Sequence, residues 1–482
     1  MLLSISRQRG KSLQAQIVEQ FQDQIRRGVL PAGSRLPSSR HLAQVLSVSR
    51  NTIIHVYERL VSEGFVEIVA NSHARVSDQA RNRLTRSDPR SLQECGRPKR
   101  RKLEFFGRQH IVRRPTRKLA ADFWMQRADP RAFPLRMWRR LLVECLGHAG
   151  ENLIDYGDPI GLASLREAIT DHVLPDRGIR TKPENVFIFA GAQLALNLVA
   201  RLMVRPKGAI VIENPANQGA SYLFESYQGR LIPLPVDENG LMVSALGNVR
   251  ADFAYVTPSH QFPLGATLSL ERRHQLIGWA ERMNSYIVED DYDSQFFYDG
   301  PPLPALKALN DDRVIYIGTF SKLLGAGLRI GFAVFPDELV REAKTAKALL
   351  DNGPPWLEQA TLQAFITRGS YSRHVRMVRQ QYLSQRNCLI ASLRQFFGSP
   401  KLIGTSSGTH VCWHLPPNLP NALKVQQLAL SKRVAVYTIQ DGGGEEYAPR
   451  RFTPRVLMLG YAALSEAEIR RGIVRIADVL KS

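Results

Sequence analysis

The chain has 482 residues, enough for several hydrophobic cores, and its 44% hydrophobic and 23% charged residues match an ordinary globular protein. Its charge is not ordinary: 65 Lys and Arg against 44 Asp and Glu give a formal +21, which favours a polyanionic partner, nucleic acid before an acidic membrane surface. No segment approaches about eighteen uninterrupted apolar residues and MLLSISRQRGKS has no apolar signal core, which predicts a cytoplasmic protein without a membrane partner. Cys95, Cys145, Cys388 and Cys412 lie far apart and outside any Cys/His cluster, so neither a metal site nor a disulfide framework is expected.

Residues 1–78 are helix-patterned at first, then strand-like. Ile17, Phe21 and Ile25 recur every four residues, one apolar face of a helix that Gly28 can stop. Ser38 can cap a short second helix that turns Leu42, Ala43 and Leu46 inward, and Ser49 a third over Arg50–Leu60. Two short helices joined by Ser47-Val48-Ser49 make a helix-turn-helix. After Gly64, the runs Phe65–Val69 and Ala74–Ser77 predict a β-hairpin wing.

The residues Leu36-Pro37-Ser38-Ser39-Arg40, Leu42-Ala43, Val48-Ser49-Arg50-Asn51-Thr52, Val56-Tyr57, Leu60 and Gly64-Phe65 resemble the winged helix-turn-helix of GntR-type regulators. The resemblance covers about residues 11–78 and implies binding to a double-stranded DNA operator. Arg40, Ser49, Arg50 and Thr52 would face DNA, with wing residues Asn71 to Arg75 near the minor groove or backbone. An arginine fork suits guanine or phosphate, and a hydroxyl at a helix start reaches phosphate.

Residues 79–118 carry fourteen Lys and Arg against three Asp and Glu, about half of the whole excess, in a Pro-interrupted stretch with little apolar periodicity. This is the pattern of a basic linker, ordered only on contact with something acidic.

From about residue 119, helical stretches alternate with the apolar runs NVFIFAG, AIVIENP, ADFAYVTP, SYIVEDD, RVIYIGTF and RIGFAVF. That alternation predicts an α/β domain with a mostly parallel central sheet, in which ligands gather beyond the carboxyl ends of the strands. Three polar signatures fall at such ends. At Ala192 and Gln193 a helix opens whose free amides make an anion site. Tyr286–Ser294 ends in a burst of acids, where a carboxylate can pair with a protonated pyridine nitrogen and a tyrosine can bond a ring hydroxyl. Lys322, flanked by Thr319, Ser321 and Arg329, is a candidate Schiff-base lysine beside a phosphate cup. Its amine must shed a proton to react, which needs a dry or electropositive setting.

Together, residues 119–482 resemble fold type I aminotransferases. The resemblance implies pyridoxal phosphate as cofactor, carried covalently on Lys322. Asp290 would pair with the pyridine nitrogen, with Asp291 as the fallback because the acidic run blurs the register. Tyr292 would contact the ring hydroxyl, and Ala192, Gln193, Thr319, Ser321 and Arg329 would hold the phosphate. Asp155–Gly161 matches the segment whose tyrosine, here Tyr156, reaches the phosphate of the neighbouring subunit, which implies a homodimer. A GntR-type reader joined to such a domain is the layout of MocR/GabR-type transcription regulators.

Three positions depart from catalytic members of that family. Phe262 stands where an asparagine supports the ring hydroxyl, and Asn217 where an aromatic lies over the ring. Met458 stands where an arginine grips a substrate carboxylate, with Arg455 the substitute if the register differs. The expectation is a regulator sensing a small amine, an amino acid or pyridoxal phosphate itself, with vestigial or no transaminase activity. One rival is an active aminotransferase with an autoregulatory DNA-binding domain; Phe262, Asn217 and Met458 argue against it. The other is a DNA-binding protein whose enzyme-like domain only dimerises; Lys322, Asp290 and Arg329 argue against that.

Overall fold

The computed structural model describes residues 12–68, 74–77 and 119–481. The chain divides into Met1–Glu104 and Phe105–Ser482. That division falls within the stretch expected to be the linker, 79–118, which lies outside the described residues, as do wing positions Asn71, Ser72 and His73.

In the first unit, helix α1 (Leu13–Arg26) buries the expected stripe of Ile17, Phe21 and Ile25 together with Val18. Helices α2 (Ser39–Val45) and α3 (Arg50–Ser62) start at the expected caps. Ser38 Oγ accepts from the His41 amide at 3.2 Å and Ser49 Oγ from the Thr52 amide at 3.2 Å, each satisfying a donor that the helix itself leaves free. Between α2 and α3, Ser47 takes a left-handed φ of 52°. Tyr57 packs edge-on to Phe21 and donates its hydroxyl proton to the Pro37 carbonyl at 2.7 Å, tying α3 to the turn before α2. Strands β1 (Val66–Ile68) and β2 (Ala74–Val76) pair antiparallel as the wing, and the Leu36 amide bonds the Ala74 carbonyl at 2.8 Å.

In the second unit, all six apolar runs are strands of one eight-stranded sheet. Its members are β3 (Val186–Phe189), β4 (Ala209–Asn214), β5 (Arg230–Asp237), β6 (Gly240–Leu241), β7 (Phe253–Val256), β8 (Tyr286–Asp291), β9 (Val314–Thr319) and β10 (Gly331–Val334), in the order β3-β10-β9-β8-β7-β4-β5-β6. All but β6 and β10 run in the same direction. Both faces are covered: Val186 and Ile188 join one apolar cluster, Phe187 and Phe189 another. Strand β5 escapes the sequence reading because Pro233 and Pro235 lack amide donors. It tolerates them because its outer side is paired only at Val236 and Asp237.

A separate four-stranded antiparallel sheet is formed by Lys401–Ile403, His410–His414, Val456–Gly460 and Tyr437–Thr438. From it the segment Gly444–Glu445 reaches back and pairs antiparallel with Ala216–Asn217, just beyond β4. Among the described residues, no helix is long and apolar enough to cross a membrane.

Candidate functional site

Side chains alternate across a strand, so Asp290 and Asp291 at the end of β8 point to opposite faces of the sheet. Asp291 turns to Arg177, whose Nε donates to it at 2.8 Å, and to the Tyr316 hydroxyl at 2.7 Å. Burial opposes its ionisation, but the adjacent guanidinium prevails and holds it below the usual carboxylate range. Asp290 points the other way. Its Oδ2 accepts from the Tyr255 hydroxyl at 2.7 Å, while its buried Oδ1 has no hydrogen-bond partner among the described residues. Burial pushes its pKa up to about 6. Lys322 acts electrostatically on Asp290, whereas Asp291 is engaged by Arg177.

Lys322 lies in the short helix Ser321–Leu324 that follows β9. Among the described residues its half-buried amine meets only the Met125 carbonyl, at 3.5 Å, and it sits 5.7 Å from the centre of the Tyr292 ring. Burial lowers its pKa to about 8 against the pull of Asp293 and Asp290. The neutral form is thus more accessible near neutral pH than in a free lysine.

The phosphate-type residues converge through sheet register. Thr319 pairs with Gly331, and Gly331 with Phe189, so three neighbouring strands bring their ends together. Helix α4 (Ala192–Met203) opens there with its first amides at Ala192 and Gln193. Gly191, at φ 94°, allows Arg329 to approach so closely that a Cβ would lie 2.6 Å from its Nη2. Ser321 and Thr319 share a 3.0 Å hydroxyl bond, and Gln193 donates to the Gly219 carbonyl at 3.2 Å. Tyr156 is not in this cluster: it is 89% exposed, beside a cavity of about 540 Å³ shared with Asp155, Asp158 and Trp356.

Four residues here escape the sequence reading. Tyr255 and Arg177 hold the two aspartates. His260 and Asp293 form a buried pair, Nδ1 to Oδ2 at 2.9 Å, against Tyr292. Asp293 closes the acidic run that begins at Glu289, and His260 directly precedes the Gln261–Gly265 turn, but one sequence gives no sign that they meet.

In the first unit, Arg40 and Arg50 are exposed and have no ion-pair partner among the described residues, with Arg50 in the first turn of α3. Ser49 and Thr52 are engaged with one another, hydroxyl to hydroxyl at 2.8 Å. Arg75 is exposed but its Nε is bound to Glu67 across the wing at 2.6 Å.

Residues 13–76 match the bacterial regulatory proteins of the gntR family, and residues 128–476 match aminotransferase class I and II. The chain is 31% identical over 476 residues to the uncharacterized HTH-type transcriptional regulator YdeL of Bacillus subtilis (strain 168), covering 97% of both. It is 30% identical over 488 residues to the probable rhizopine catabolism regulatory protein MocR of Rhizobium meliloti, covering 98% of this chain and 94% of that protein. It belongs to the MocR-type transcription regulators. The aminotransferase-like part of this regulator has the fold of LysN, the α-aminoadipate aminotransferase of Thermus thermophilus solved with N-(5'-phosphopyridoxyl)-L-leucine. That likeness has a TM-score of 0.67 at 28% identity, over 75% of this chain and 92% of that one. The kynurenine aminotransferase of Pyrococcus horikoshii gives a TM-score of 0.69 at 27% identity, over 76% and 91%.

Two of the three positions expected to depart from catalytic relatives, Phe262 and Met458, share one apolar cluster against which Tyr292 packs. Phe262 is buried, its ring edge-on to Tyr292 with centroids 6.0 Å apart. Asn217 Oδ1 accepts from the Gly219 amide at 2.9 Å and caps the helix Gln218–Ser226. Met458 is fully buried in an apolar cluster with Trp124, Met125 and Phe262. A Cβ on Gly442 would lie 2.6 Å from Met458 Sδ and 2.7 Å from Met125 Cε, so the glycine lets the loop close on both thioethers. Arg455 does not replace the missing arginine. Its guanidinium donates to the carbonyls of Leu415 (Nε, 3.2 Å), Leu419 (3.1 Å) and Pro416, which fixes it to the loop beyond the sheet.

Proposed function

We propose that this MocR-type regulator carries pyridoxal phosphate covalently on Lys322, uses it to detect a small amine, and transmits that occupancy to DNA readers paired in a homodimer. The observation that carries the reading is the buried, unpartnered Oδ1 of Asp290 on the same face as a half-buried amine of lowered pKa. A carboxylate oxygen without a partner in a dry site is costly, and a protonated pyridine nitrogen satisfies it. The group supplies an aldehyde that condenses with amines and a ring that withdraws electron density. The chain's residues do the rest. Lys322 offers the neutral amine, Asp290 holds the proton on the ring nitrogen, and Arg329 with the α4 amides and Thr319 and Ser321 binds the phosphate. Met125, Phe262 and Met458 exclude water.

The same wall narrows the ligand. With Met458 apolar and Arg455 committed elsewhere, a carboxylate entering here loses hydration without gaining a guanidinium fork. The effector is therefore an amine lacking an α-carboxylate, or the cofactor itself, and transaminase activity toward amino acids is vestigial. Titrating cofactor-loaded protein with 2-phenylethylamine and with phenylalanine, reading absorbance, checks this. The amine is expected to act at about tenfold lower concentration or less; equal or better response to phenylalanine refutes the assignment. Exposed Leu153, Ile154 and Tyr156 lie close together along the segment expected to reach a second copy, and clustered exposed apolar residues favour an interface.

A further inference from the structure

Both hydrogen bonds to the Tyr292 phenol come from a single residue. The hydroxyl donates to the His260 carbonyl at 2.9 Å, and His260 Nδ1 lies 3.0 Å from the same oxygen. Nδ1 is also 2.9 Å from Asp293 Oδ2, a carboxylate that can only accept, so the ring proton belongs on Nδ1. Side-chain exposure is 0% for His260 and 1% for Asp293. The ring is boxed by two glycines: a Cβ would fall 2.2 Å from it at Gly408 and 2.7 Å at Gly265. A buried, hydrogen-bonded imidazole needing two glycines to fit is a costly arrangement for packing alone. It stands two residues before Phe262, the position where, by the family resemblance, an amide donor would otherwise support the ring oxygen.

We infer that His260, braced by Asp293, is the positioning residue that aims the Tyr292 phenol at the cofactor's ring oxygen, supplying from behind the order that Phe262 no longer supplies from the side. The inference rests on the cofactor reading above. With the single Nδ1–H shared between Asp293 Oδ2 and the phenol oxygen, the Tyr292 proton is free to turn from the His260 carbonyl to the ring oxygen. Negative charge there is then stabilised, and the nitrogen of Lys322 gives up its proton at lower pH. Without His260 the phenol loses its aim, and Lys322 nitrogen keeps its proton to higher pH. The other ionisable groups facing this space are Asp290 and Asp293, which act on both Lys322 and Tyr292; Glu213 and Tyr255, which also act on Tyr292; and His410, whose ring is 4.7 Å from His260 and which burial keeps neutral. Arg177 and Arg273 line a small cavity on the far side of His260.

Two polar variants separate positioning from packing. In His260→Asn the amide nitrogen hangs from Cγ, where Nδ1 does; in His260→Gln it hangs one carbon further and cannot reach. Each protein is loaded with pyridoxal phosphate and its absorbance followed against pH. The Gln variant is expected to move the midpoint of the colour change up by about one pH unit, as Tyr292→Phe does, and the Asn variant to stay near the parent. The Gln change should add nothing in the Tyr292→Phe background. Unchanged midpoints in both variants, equal shifts in both, or an additive shift in the double variant overturn the inference while leaving the cofactor reading intact. A parent protein that gains no visible band overturns both.

Discussion

Lys322→Ala is expected to abolish the covalent capture of pyridoxal phosphate completely. Among the described residues this amine alone combines the end of β9, a half-buried setting, and the neighbouring carboxylates of Asp290 and Asp293. Borohydride reduction followed by peptide mass mapping should place the pyridoxyl group on Lys322 in the parent and nowhere in the variant. Arg329 and the α4 amides remain, so the variant should still hold the cofactor weakly and reversibly. The pH dependence has a definite sign. The reacting form is the neutral amine, and its pKa is lowered to about 8. Capture should therefore be nearly independent of pH above that value and slow by about tenfold for each unit below it. A reducible adduct persisting in the variant contradicts the assignment.

Arg50→Ala should weaken operator binding by about 1–3 kcal/mol, roughly five- to 150-fold, and relax the base preference at one position in each half-site. Arg50 is exposed in the first turn of α3 and has no ion pair among the described residues to break before it reaches a base. Arg75 makes the contrast: its guanidinium already belongs to Glu67, so Arg75→Ala should cost less. Fluorescence anisotropy at matched salt measures both. Undiminished affinity in Arg50→Ala places the recognition surface elsewhere.

The sequence was most legible where local chemistry decides the structure. Ser38 and Ser49 each cap the helix that their position announces, and the six apolar runs become strands because residues buried on both faces leave no other pattern. Strand β5 was hidden by Pro233 and Pro235, which look like breakers until the partly unpaired side of the strand is known. Thr319 ends β9, Lys322 follows it and Arg329 lies two residues before β10, positions that the apolar runs mark out in the sequence. The choice between Asp290 and Asp291 was not, since a one-residue change of register exchanges the faces of a strand. In the structure Tyr255 engages Asp290 and Arg177 engages Asp291, which favours Asp290 for the role proposed above. His260 and Asp293 are 33 residues apart and meet by folding alone. Arg455 looked available in one dimension and is spent on loop carbonyls in three.

The central claim is that chemistry at Lys322 changes what the DNA readers do. It is tested most directly by measuring affinity for an operator duplex, selected with the protein itself, for the parent and for Lys322→Ala. Each is measured with pyridoxal phosphate alone and after addition of 2-phenylethylamine. Coupling between distinct sites typically changes affinity by about five- to 150-fold. The parent should show a change of at least about fivefold on adding the amine, and Lys322→Ala none. Equal operator affinity in the parent with and without amine, or the same change in both proteins, would contradict the account.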